Sequence, residues 1–360
     1  MRVNLHRVAA EAGVSTSTAS RVLAGGKARG LCSSSAIGRV EAAAQKLGYR
    51  VNYHMQAVRN GRSNLIGFSL QIADAKRSNQ AGSWYFDQIC EGLEAACQQG
   101  GKSLLVVRPD ADRNAMERGI DYLRDRRLDG LVLIRHYAGQ GVGLLDERDR
   151  ARRLNIVSVD GPSGFGYPHI GFNTQAGLDL IARHLRELGH RRILWFGPRQ
   201  KVQIEREERE QSFLRAAFSV GLSGEVLLVD ADAQRSETIQ ENLAHLEAQF
   251  REGFSPLKAC GLTAVACYND LHAIAAQRAL AGFGLRVPQD ISLTGFDDSW
   301  SVFGTPPITT VSHMLFEIGQ RAGQTAIERF QAHRGLAAPP PSSVIEPSIV
   351  VRSSTGLAPA

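Results

Sequence analysis

The sequence predicts a small all-α N-terminal domain followed by a larger α/β domain, built from two parallel-sheet lobes with a cleft between them. Three observations lead there. At 360 residues and 43% hydrophobic content the chain exceeds one ordinary domain and can fill more than one core. Its apolar residues recur at helical spacing over the first 50 positions and as short continuous runs beyond position 62. Its charge is divided unevenly: residues 1–62 carry ten Lys/Arg against two acids, Glu11 and Glu41, for a net +8, whereas the rest nets −2. A surplus so confined points to a polyanionic partner for the N-terminal part alone.

The same bulk features exclude several classes. No apolar run reaches the roughly 18 residues that a membrane span needs. The start, MRVNLHRVAAEAG, places Arg and His where a signal peptide requires a continuous apolar stretch, so a cytoplasmic location is expected. The five cysteines (Cys32, Cys90, Cys97, Cys260 and Cys267) are odd in number and form no CxxC, which fits reduced thiols. The ten His show no HExxH spacing, and there is no GxSxG, so no metal, cofactor or catalytic role is expected.

Within residues 1–50, Leu5, Val8, Ala9 and Ala12 form one apolar stripe, and Gly13 stops that helix. Ser15 is a suitable N-cap for a second helix, in which Ala19, Val22 and Leu23 face inward. Thr16, Ser17, Ser20 and Arg21 share the opposite face, where small hydrogen-bonding side chains and an Arg suit the edges of bases in a major groove. Ser33 caps a third helix with Ile37, Val40, Ala44 and Leu47 as its stripe, closed by Gly48. Residues 51–62 then read VNYHMQAVRNGR, with no Pro and with helical spacing of Tyr53, Gln56 and Ala57. A helix that short does not hold alone in water.

These stretches, VAAEAGVSTSTASRVL, VEAAAQKLGYRVN and RNGRSNLIGF, resemble the DNA-binding headpiece of the lactose-repressor (LacI/GalR) family of bacterial regulators. The resemblance implies a helix-turn-helix domain over 1–50 and a hinge helix over 51–62 that folds in the minor groove of a near-palindromic operator. It adds Asn52, Val58 and Arg59 to the DNA-contacting set, with Val58 standing where the family inserts a Leu wedge. Two departures are visible. The loop AGGKARGLCSS, with Lys27 and Arg29, is longer than the family's, and Val51-Asn52 replaces its Pro-Asn.

Beyond position 62, nine apolar runs alternate with helical stretches: NLIGFSL, SLLVVRP, GLVLIR, NIVSVD, HIGFN, RILWFG, EVLLVD, AVACY and ISLTGFD. Continuous apolar character marks strands covered on both faces, hence a parallel sheet. Polar residues at the strand ends are the ligand candidates: Asp160, Asn269, Asp270 and Asp297, with Arg209 at the start of a helix. Carboxylates, an amide and a guanidinium together suit a polyhydroxyl ligand, though Asp270 equally suits a helix cap.

The resemblance extends along this domain through HLRELGHRRILWFGP, CYNDLHAIAAQRALAGFGLRVPQDISLTGFDD and PPITTVSH. It implies a periplasmic-binding-protein-like effector domain over 63–360. The chain would cross between lobes near 165–170, 290–293 and 320–325. The N-lobe would then comprise about 63–166 and 292–322, and the C-lobe about 167–291 and 323–353. By the same resemblance Asp160, Arg209, Asn269 and Asp297 match positions that bind sugar hydroxyls. Trp84 or Phe86 would stack on a sugar ring, or pack the first helix instead, and Arg135 and His136 would face the cleft. His313 stands where members often have Gln. The extra cationic side chains leave an acidic sugar or a phosphate ester open beside a neutral one. The expected protein is an effector-controlled transcriptional regulator, most readily a repressor, and a homodimer or tetramer. A nucleobase effector is the alternative, and a solute-binding protein for transport the rival class.

Overall fold

Nine parallel strands are what the nine apolar runs become. The computed structural model describes residues 3–24, 30–50, 61–70, 83–134, 154–159, 167–199, 207–230, 238–332 and 341–359. The chain divides into two units, Met1–Asn64 and Leu65–Ala360.

In the first unit, α1 (Leu5–Ala12) begins at Asn4, whose side chain accepts from the Arg7 amide, and ends at Gly13, which adopts φ +60°. That left-handed conformation favours glycine and turns the chain. In α2 (Thr16–Ala24) the Ser15 hydroxyl accepts from the Thr18 amide at 3.1 Å. Ser33 caps α3 (Ser34–Lys46) in the same way through Ala36. The core is built from small side chains: Val8, Ala9, Ala12, Ala19, Val22, Val40, Ala43 and Ala44. Leu5, Leu23, Ile37 and Leu47 pack around it only partly buried.

The second unit opens with an all-parallel six-stranded sheet in the order β11-β5-β4-β3-β1-β2. Its strands are β1 (Leu65–Leu70), β2 (Ser103–Val107), β3 (Gly130–Ile134), β4 (Ile156–Val159), β5 (His169–Phe172) and β11 (Ser343–Ile345). One face is covered by α4 (Ser83–Gln99) and α10 (Leu315–Ala332), which bury Ile89, Leu93, Ile318 and Ala322 against Phe68 and Val132. The other face is covered by α5 (Ala115–Arg124) through Met116, Ile120 and Leu123. The α4–α10 approach depends on glycine: a Cβ on Gly92 would strike the Phe316 carbonyl, and one on Gly319 the Ile89 carbonyl.

The other lobe holds a parallel sheet in the order β7-β6-β8-β9 and a short antiparallel pair, β10-β12. Its elements are α6 (Thr174–Glu187), β6 (Arg192–Arg199), α7 (Glu207–Ser219), β7 (Ser223–Asp230), α8 (Ile239–Phe254), β8 (Ala264–Cys267), α9 (Asp270–Gly282), β9 (Ser292–Thr294), β10 (Thr310–Ser312) and β12 (Ser348–Val350). Helices α8 and α9 cover one face, and α6 and α7 the other. Both sheets are therefore buried on two sides, as the unbroken apolar runs require.

The lobe boundaries differ from those expected. Strand β9 pairs with β8, Ala264 opposite Ser292, so 292–312 belongs to the C-lobe rather than the N-lobe. Helix α10 and β11 return to the N-lobe sheet, where Ser343 pairs with Ile170. The crossings thus lie at Asn173, at His313-Met314 and at Glu346-Pro347, instead of near 165–170, 290–293 and 320–325. The expected bounds are those the family resemblance implies; the observed ones are set by strand pairing, β9 on β8 and β11 on β5, which local periodicity does not encode.

Candidate functional site

On the N-terminal unit, Ser17 and Arg21 stand exposed one helical turn apart on α2, with Thr16 and Ser20 half-buried beside them. The Ser17 hydroxyl lies 2.9 Å from that of Ser15, within the cap, and Thr16 Oγ1 lies 3.5 Å from His6 Nδ1 on α1. Arg7, Arg39, Lys46 and Arg50 are exposed on the same unit. Lys46 and Glu11 pair at 2.6 Å across α3 and α1, so part of this surplus is matched. Asn52, Val58 and Arg59 lie outside the described residues.

In the second unit, the carboxyl ends of β8 and β9 bring four of the expected residues together. Arg209, in the first turn of α7, is buried and donates through Nη1 to the Tyr268 carbonyl (3.1 Å) and to Asp297 Oδ1 (3.4 Å). Its Nη2 lies 3.2 Å from His313 Nε2. The guanidinium carbon sits 4.8 Å from the Tyr268 ring centre and 4.5 Å from that of Phe296, distances at which a cation is held by ring faces.

Asp297 follows β9 with φ +96°, an unfavourable backbone for a residue with a Cβ. Its amide donates to the Val311 carbonyl at 2.9 Å, which fixes it beside β10. His313 Nδ1 lies 2.9 Å from Asp297 Oδ1, off the N–H axis, so the contact is electrostatic rather than an aligned hydrogen bond. The imidazole is 3% exposed and packs against Phe172 (4.1 Å between ring centres) and Phe296 (5.0 Å).

Asn269 caps α9: its Oδ1 accepts from the His272 amide at 3.0 Å and from His272 Nδ1 at 2.7 Å. With the oxygen so engaged, what Asn269 offers to a ligand is its amide N–H pair. Asp270 is fully buried and is not the cap. It accepts from the Ser299 and Trp300 amides and from the Thr310 hydroxyl, which makes it a structural brace. Of the aromatic pair, Phe86 packs against the N-lobe core. The Trp84 side chain, Asp160, Arg135 and His136 lie outside the described residues. Sequence reasoning missed Tyr268, Phe172 and Phe296: each ends an apolar strand run and reads there as core.

The chain matches known proteins over its whole length. Residues 4–52 match the bacterial regulatory proteins, lacI family, and residues 182–355 the periplasmic binding protein-like domain. The HTH-type transcriptional regulator MalR of Streptomyces coelicolor is 31% identical over 365 residues, covering 100% of this chain and 98% of that protein. The chain belongs to the lacI family of bacterial regulatory proteins. Further lacI-family relatives include the ribose operon repressor of Escherichia coli K12, 27% identical and covering 89% of this chain and 91% of that protein. Among solved structures, the lac repressor dimer bound to operator and the anti-inducer ONPF aligns with a TM-score of 0.71 at 25% identity, covering 99% of this chain and 100% of that one. The transcriptional regulator CelR–cellobiose complex aligns at 0.62 and 25% identity, covering 98% and 100%. This lacI-family chain is a DNA-binding transcriptional regulator and not an enzyme. No helix among its described residues is long and apolar enough to cross a membrane.

Proposed function

We propose that this regulator is a cytoplasmic, homodimeric repressor whose operator affinity is set by a neutral carbohydrate bound between the lobes. The observation that carries the reading is the Arg209–Asp297–His313 cluster, joined by Asn269 at the carboxyl ends of the C-lobe strands. Carboxylate oxygens accept from paired hydroxyls, while the guanidinium and amide supply donors. Neutrality follows from charge: among the described residues Arg209 is already matched by Asp297, and both of its Nη groups are engaged. Asp160, Trp84 and Arg135 complete the proposed site, and Thr16, Ser17, Ser20, Arg21, Asn52, Val58 and Arg59 the proposed operator contacts. Relatives named for cellobiose and for the ribose operon support a sugar over a nucleobase.

Control then follows from linkage: a sugar that prefers one lobe arrangement shifts operator affinity by its differential affinity alone, typically about 1–3 kcal/mol. The test is a thermal-shift screen of the full chain against cellobiose, maltose, D-ribose, glucuronate and hypoxanthine, followed by operator binding with each hit. A neutral sugar should raise the melting temperature. A ligand present at 100 times its Kd stabilises by about 2.7 kcal/mol. A shift with glucuronate or hypoxanthine alone replaces the neutral-sugar reading with an acidic or nucleobase effector.

A further inference from the structure

We infer that His313 is a positioning residue: an imidazole protonated on Nδ1 that holds Arg209 through Nε2 and ties it to the second crossover between the lobes. The inference rests on reading the Arg209 cluster as the effector site, but its own evidence is local. A guanidinium has five N–H donors and no acceptor. The 3.2 Å approach of Arg209 Nη2 therefore requires a lone pair on His313 Nε2. A neutral ring has one such nitrogen, so its proton sits on Nδ1, where the Asp297 carboxylate lies 2.9 Å away and favours it. An imidazolium would set an Nε2–H against the guanidinium N–H. Among the described residues, the charged groups facing the ring are Arg209 from α7 and Asp297 from the segment after β9; Phe172 from β5 and Phe296 supply uncharged faces.

The position of the ring gives this polarity a consequence. His313 follows Ser312, the last residue of β10 in the C-lobe, and precedes Met314, which adopts φ +51° before α10 enters the N-lobe. The residue that Arg209 grips is thus the one at which the chain changes lobe. A ligand hydroxyl that takes the same Arg209 Nη2 N–H competes directly with His313 Nε2. Occupancy of the site is then felt at the crossover through one hydrogen bond. Glutamine at 313 keeps the arrangement, accepting from Arg209 through Oε1 and presenting N–H to Asp297. Leucine removes it at similar bulk.

The test uses the full chain labelled with ¹⁵N in histidine only, read by long-range ¹H–¹⁵N spectra at pH 7.5, with His313 assigned by its loss in His313→Gln. The expected ring is protonated at Nδ1 and bare at Nε2, and Arg209→Met should release it toward the Nε2–H form. A wild-type ring protonated at Nε2, or at both nitrogens, overturns the inference. Hydrogen exchange over residues 310–318 reads the crossover. His313→Leu should exchange roughly tenfold faster there, a loss of local protection, whereas His313→Gln should match wild type. Equal exchange in all three overturns the crossover role. Neither readout needs a bound sugar, so their success beside a failed sugar screen would retire the effector reading and leave the positioning role standing.

Discussion

The Thr310 hydroxyl donates a 2.6 Å hydrogen bond to Asp270 Oδ1, joining β10 to the start of α9 with both side chains buried. Burial pushes the Asp270 carboxyl up to about 7, against the lowering pull of Thr310 and of the Trp300 and Ser299 amides; nearby Asp297 adds to the rise. A folded-state value above the unfolded one means that this group's contribution is full below about pH 4 and is lost as pH rises through about 7. Asp270→Asn, which does not titrate, should therefore gain on wild type in urea midpoint as pH rises from about 4 to about 7, then run parallel to it. A constant difference over that range would contradict the buried-acid account.

The C-terminal segment is held by two histidines with the opposite sign. His190 Nε2 contacts the Ser292 hydroxyl (3.0 Å) and the Gly356 carbonyl (3.2 Å), and His184 Nε2 the Thr355 hydroxyl (2.9 Å). Burial lowers both values, so each ring is favoured neutral in the fold. Stability from such groups is present above the unfolded value near 6.5 and is lost as pH falls through the folded value. Hydrogen exchange of residues 352–358 should accelerate on acidification before that of β6 or β8. His190→Ala, which strands its partners, should cost about 1–3 kcal/mol in urea unfolding at pH 7.5.

Much of this architecture is legible in the sequence because burial on both faces leaves a direct mark. All nine runs, from NLIGFSL to ISLTGFD, contain strands, and the caps Ser15 and Ser33 lie where short polar side chains precede apolar stripes. What is not legible follows from the same physics. Strands β10, β11 and β12, three residues each, are too short for any periodicity. The change of lobe at His313 is fixed by pairing between distant segments, Thr310 with Val350 and Ser343 with Ile170, which no local pattern encodes. Asn269 and Asp297 stand out as polar residues at apolar strand ends, and Arg209 as a cation at the start of a helix that matches a family position. Tyr268 contributes a main-chain carbonyl, which leaves no side-chain signal, and a ring that at the end of an apolar run reads as core.

Arg209→Ala separates effector recognition from folding. The substitution removes the donor to Asp297, His313 and the Tyr268 carbonyl at once, and leaves Asp297 without its guanidinium. Breaking such a pair from one side costs up to about 3–5 kcal/mol when it is buried, so the variant should melt lower than wild type. Any sugar found in the thermal-shift screen should no longer shift its melting temperature or change its operator affinity. Because the headpiece is a separate unit, operator binding without sugar should stay near wild type. Equal loss of sugar response and sugar-free operator binding would mark Arg209 as a folding residue only.

Arg21 and Arg50 are both exposed cations of the headpiece, and they should fail in different ways. Arg21 shares the outer face of α2 with Ser17, the face proposed to meet base edges, whereas Arg50 follows the third helix. Arg21→Ala should weaken operator binding by about 1–3 kcal/mol and relax the choice of base at one position in each half-site, with little effect on random duplex. Arg50→Ala should weaken operator and random duplex alike and reduce the slope of log K against log salt by about 1, the mark of a lost phosphate contact. Anisotropy titrations at several salt concentrations, on operator and on scrambled DNA, distinguish the two. If Arg21→Ala lowers both affinities equally and takes a unit from the salt slope, the α2 face contacts the backbone and the base-reading assignment moves elsewhere on the headpiece.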